Sequence, residues 1–102
     1  MTKKGYQVNV NLPVQIIKEG KVFVAYCPVL DIATQGDTYE EAQEMFNELV
    51  RVFIDDLIER GTFEKVLFDL GWKKSSHGRR WELPERQFIS ETHQEVSIPC
   101  PA

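Results

Sequence analysis

The sequence predicts an α+β domain: a three-stranded antiparallel sheet, one long helix, a short second helix and a late C-terminal strand. Three observations carry this expectation. Apolar and polar residues alternate across residues 6–17, the period of two that marks a half-buried strand. The turn Lys18-Glu19-Gly20-Lys21 separates that run from a second apolar one, and the pair reads as a hairpin. A capping sequence at Thr38 opens an amphipathic run that Gly61 closes, as a helix of about 22 residues would require.

Taken in order, the first strand places Val8, Val10, Leu12, Val14 and Ile16 on one side. Pro13 cannot donate to a ladder, so this strand is expected at a sheet edge or bent there. Gly20 suits the turn because it takes positive φ without penalty. The second strand spans residues 22–26 and stops at Cys27-Pro28, and residues 31–36 form a short third strand closed by Gly36.

The helix start is the clearest local signal. In Thr38-Tyr39-Glu40-Glu41 the threonine oxygen accepts from the N–H of Glu41, while the Glu41 carboxylate reaches back to the N-cap. Asp37, Glu40 and Glu41 also place negative charge at the positive end of the helix dipole. At about 100° per residue, Ala42, Met45, Phe46, Leu49, Val50, Phe53 and Leu57 share the face expected on the sheet. Thr62 is expected to cap a second helix over residues 63–70, stopped by Gly71. Ile54 and Ile58 fall outside the main face and are expected to meet this helix around Phe63, Val66 and Leu67, with self-association as the other reading. Beyond Gly71 a basic hinge with Trp72 and Trp81 leads to a last strand at Val96, Ser97 and Ile98, ended by Pro99.

Composition bounds function. The 102 residues fit one domain with 42% hydrophobic content, enough for a small core and too much for a disordered chain. No apolar run approaches a membrane span, and the N-terminal lysines have no apolar stretch behind them, so no signal peptide is expected. Cys27 and Cys100 fit no disulfide framework, which makes a cytoplasmic protein with reduced thiols the expectation. The net charge of −4 is uneven: residues 37–70 hold ten acids against Arg51, Arg60 and Lys65. Such a surface repels phosphate backbones and attracts basic ones, so nucleic-acid binding is not the favoured reading.

Catalytic constellations are thin. Two-metal hydrolysis needs converging acids from strand centres, and the strands offer only Glu19 and Asp31 at their margins. His77, His93, Cys27 and Cys100 match no zinc spacing, nothing marks either cysteine as activated, and no cofactor is expected. Glu44, Glu48, Asp55 and Glu59, with Glu41, gather within about 60° of the helix circumference. On the residues alone they read first as a solvated face and second as a docking stripe for a basic partner. Asp56 is expected to pair with Arg60 four residues on. Lys73, Lys74, Arg79 and Arg80 between Trp72 and Trp81 form the only basic-aromatic cluster. It reads as a nucleic-acid contact or as a hinge whose tryptophans anchor on the domain, the latter favoured.

The stretch Val24-Ala25-Tyr26-Cys27-Pro28-Val29-Leu30, followed by Gln35-Gly36-Asp37-Thr38-Tyr39-Glu40-Glu41-Ala42, resembles the HicB family of antitoxins. That family shows a strand ending in proline, a glycine before the helix and T-x-x-E-A at the helix start. Glu59-Arg60-Gly61 and Leu70-Gly71-Trp72 add to the likeness, which covers residues 6–72. The resemblance implies a partial RNase H-like fold and a partnership with HicA, a small toxin that cleaves messenger RNA with a histidine. Many members carry a C-terminal ribbon-helix-helix or helix-turn-helix for autorepression. Residues after Gly71 hold no two successive amphipathic helices, and the chain departs from the pattern there.

The expected organisation is a HicB-like domain at residues 1–72 and a C-terminal extension at 73–102 without a clear DNA-binding domain. The expected function is a non-catalytic antitoxin that masks the basic face of a HicA-type toxin with Glu44, Glu48, Asp55 and Glu59. A small DNA-binding regulator or autorepressor is the alternative. A homodimer or larger oligomer is expected because an edge strand leaves ladder groups uncovered, with residues 94–99 as the candidate segment for strand exchange or pairing.

Overall fold

The structure, a computed structural model, describes residues 9–78, 80–86 and 89–101. Strands β1 (Gln15–Glu19), β2 (Val22–Cys27) and β3 (Ile32–Gly36) form an antiparallel sheet in the order β1-β2-β3. Helix α1 (Tyr39–Arg60) and helix α2 (Phe63–Asp69) follow, and a two-stranded hairpin of β4 (Lys73–Lys74) and β5 (Trp81–Glu82) comes last. The α+β class, the three-strand meander, the long helix and the short second helix are those expected.

β2 supplies the centre of the core. Its alternate residues Phe23, Ala25 and Cys27 face the helices, with Ala25 and Cys27 fully buried. In register, Ile16 lies opposite Ala25 on one side, and Ile32 lies opposite Cys27 on the other. α1 lies on β3 and β2 and contributes the buried Ala42, Phe46 and Leu57. Leu67 of α2 and Trp72 complete the cluster. The Trp72 indole N–H donates to the carbonyl of Val29 at 2.8 Å in a buried bond, which ties the end of the helical half to the loop after β2.

Two glycines are required by geometry. Gly61 takes φ 71° as the left-handed cap of α1, where a side chain would be strained. Gly36 ends β3 against the start of α1, and a Cβ there would lie 2.6 Å from the Ala42 nitrogen. Close strand–helix approach, not backbone dihedral, fixes that residue.

Several local expectations are corrected. The first strand is shorter than residues 6–17: pairing begins at Gln15, two residues past Pro13, where a missing N–H no longer interrupts the ladder. Tyr6 and Val8 lie outside the described residues. The third strand starts at Ile32, because Asp31 adopts φ 56° in the preceding turn. There its N–H donates to Cys27 O, and its carboxylate accepts from Tyr26 Oη. Val96, Ser97 and Ile98 form no strand, since no described strand lies beside them. The late strands are instead β4 and β5, so the basic hinge is a hairpin. Met45, at the margin of the apolar face of α1, is largely exposed. Among the described residues no helix is long and apolar enough to cross a membrane.

Candidate acidic docking face on α1

The first turn of α1 fixes the helix that carries the acidic stripe. Thr38 is in extended conformation and its Oγ1 accepts from the N–H of Glu41 at 3.0 Å. The Glu41 carboxylate accepts from the N–H of Asp37, one residue earlier than the expected N-cap. Thr62, by contrast, makes no side-chain cap to α2.

With both ends fixed and one face packed on the sheet, the opposite face is presented to solvent. Glu44, Glu48, Asp55 and Glu59 are all exposed and, at about 100° per residue, project roughly opposite the Ala42–Phe46–Leu57 face. α1 holds seven acids against Arg51 and Arg60. Arg60 is already engaged by Asp56, at 3.0 Å between Nε and Oδ2. Among the described residues none of the four stripe carboxylates shares an ion pair, and neither does Arg51. The face is therefore a row of carboxylates outside any ion pair among the described residues, with Arg51 at its edge, on a rigid support.

No protein-family model, curated protein or solved structure matches this chain.

Two concavities flank the same helix. A cleft of about 560 Å³ lies between Val14 and Ile16 and the first half of α1, where Tyr39, Gln43, Glu44 and Phe46 form its wall. A groove of about 530 Å³ lies further along, lined by Val10, Leu12, Ile54, Ile58, Phe63 and Trp81 among others. Ile54 and Ile58 thus reach Phe63 and Leu67 across a groove, and Ile58 remains 55% exposed. Sequence reading missed both concavities. The available signal was Val10 and Val14 continuing the alternation of β1 with no partner strand to cover them.

The aromatic part of the basic-aromatic cluster is taken up by packing, while Lys73 and Arg80 stay exposed. Trp81 is half-buried and stacks edge-on to Phe63 and Trp72, with centroids 5.9 and 6.5 Å away, and tilted against Phe68. Lys74 pairs with Glu64 and lies over the Trp81 ring. Arg79 lies outside the described residues. Among the described residues no three His, Cys, Asp or Glu side chains gather to hold a metal, and Cys27 and Cys100 are both free.

Proposed function

We propose that this chain is a HicB-like antitoxin that neutralises a HicA-type, messenger-RNA-cleaving toxin in the cytoplasm. It acts by binding and needs no catalytic group of its own. The observation that supports this reading most directly is the row of exposed, unpaired carboxylates at Glu44, Glu48, Asp55 and Glu59. A protein that grips RNA needs a face rich in Lys and Arg to neutralise phosphates. Carboxylates on a rigid helix occupy that face by presenting charge where phosphates would lie. The strand–proline–glycine–capping-box sequence of residues 24–42 supplies the family resemblance on which the partner's identity rests.

Exposed charges at an interface rim act mainly on association rate and its salt dependence. The test is stopped-flow association with the small basic protein encoded beside this chain's gene, at two ionic strengths. The joint replacement Glu44→Gln, Glu48→Gln, Asp55→Asn and Glu59→Gln is expected to slow association severalfold at low salt and to flatten the salt slope. Equal rates and equal slopes for wild type and variant would mean that the row is only solvated. No complex at all would remove the antitoxin reading.

A further inference from the structure

Among the described residues, two stretches have backbone groups with no backbone partner. Residues 9–14 run into β1 without turn or bend. Residues 89–101 likewise run without helix, strand, turn or bend. Among the described residues, no backbone-to-backbone hydrogen bond joins either stretch to the rest of the chain. β1, which residues 9–14 extend, has β2 as its one described strand neighbour and stands at the sheet edge. An unpaired edge is a template for a further strand.

The C-terminal stretch has the pattern such a strand needs. Val96 and Ile98, two residues apart, project to one side of an extended backbone, and they are 67% and 76% exposed. Ser97 lies between them on the other side. Apolar residues at that spacing in an uncovered segment match the apolar floor of the cleft beside β1. Val14, Ile16 and Phe46 form that floor, and Glu40, Gln43 and Glu44 of α1 line its polar rim. The cleft exists because α1 sits over β3 and β2 and leaves the β1 side of the sheet open.

The stretch does not return to its own cleft. Arg86 still donates to the Pro28 carbonyl at 3.1 Å, and residues 89–101 beyond it pair with no described strand. The molecule measures 60 Å along its long axis, against 30 and 24 Å across. The Cα radius of gyration is 17.5 Å, well above the ~13 Å of a compact domain this size. Each copy therefore offers one strand without a sheet and one sheet edge without a strand.

We propose that two copies of this chain exchange their C-terminal segments. In each direction, residues 94–99 of one copy pair along the β1 edge of the other and seat Val96 and Ile98 in the cleft against Val14 and α1. A reciprocal exchange closes on itself with two-fold symmetry and leaves no free end for further growth. This inference stands whether or not the chain neutralises a toxin.

The full-length chain is expected to scatter light as a particle of twice its 11.8 kDa mass at tens of micromolar. Val96→Asp with Ile98→Asp puts two charges into the cleft and is expected to give monomers. Val14→Lys with Gln43→Lys, on the acceptor side, is expected to weaken the dimer at least tenfold. All four positions are exposed, and matching far-ultraviolet circular dichroism verifies that each variant is folded. Mixing the two variants is the decisive arm. Asp tails then meet Lys clefts while wild-type tails meet wild-type clefts, so the mixture is expected to regain the dimer mass. A monomeric wild type, a dimer that persists in the Asp variant, or a mixture that stays monomeric each overturns the proposal.

Discussion

Trp72 shows how much one side chain contributes and how little of that is visible in its surroundings along the chain. Its ring is buried in the core, and its N–H reaches the Val29 carbonyl 43 residues away. Trp72→Phe keeps most of the apolar volume but leaves that carbonyl without its donor, a loss of about 1–3 kcal/mol for a buried group. The denaturant midpoint is expected to fall with the slope unchanged. An unmoved midpoint would show that the carbonyl finds another donor. Trp72 stood in the sequence as part of Leu70-Gly71-Trp72 at the head of a basic hinge. That it anchors on the domain is the reading the sequence favours, and it does so; its bond to Val29 was hidden because the partner is a backbone oxygen brought close only by folding. Asp56 and Arg60 are the contrary case: four residues apart on one helix, their pairing follows from helical geometry alone, and it is present.

At the scale of elements, the two threonines that precede helices separate a local signal that suffices from one that does not. Thr38 is followed three residues later by Glu41: its Oγ1 accepts from the Glu41 N–H, and the Glu41 carboxylate accepts from Asp37 N–H, one residue before the cap. Thr62 is followed at the same offset by Lys65. A lysine cannot accept from the backbone, and Thr62 sits at ψ 10° rather than in the extended region a cap needs. Thr38→Ala is expected to cost about 1 kcal/mol, and Thr62→Ala distinctly less. Paired thermal melts check this, and equal losses would contradict it. The same distinction explains the strands. Alternation located β1 and β2, but pairing begins only past Pro13, and the apolar Val96 and Ile98 acquire no strand partner among the described residues. Period two says that a segment can pair, not what it pairs with. The acidic stripe was legible for the same reason as the helix, since both follow from one angular step. The cleft and groove beside it were not, because their walls come from elements far apart in sequence.

For the whole molecule, packing gives a central unit and a separate two-stranded hairpin attached to it. Ala25, Cys27, Ala42 and Phe46 join the sheet to α1 in one buried cluster. Phe46→Asp places a charge in that cluster with no buried polar partner, at a cost of several kcal/mol. Typical total stabilities are about 5–15 kcal/mol, so loss of the fold is expected. The β4–β5 hairpin is held chiefly by Trp81 against Phe63, Phe68 and Trp72. Its turn is closed by Gly78 N–H to Ser75 O and Ser75 N–H to Arg80 O. Trp81→Ala removes three aromatic contacts, all of them to residues that follow α1. Local opening of such a peripheral unit takes less free energy than global unfolding. Native-state hydrogen exchange is therefore expected to show the hairpin amides of Trp81→Ala losing protection while those of β2 and α1 keep theirs. If β2 protection falls in step with the hairpin, the two units fold as one, and Trp81 belongs to the central core rather than to its attachment.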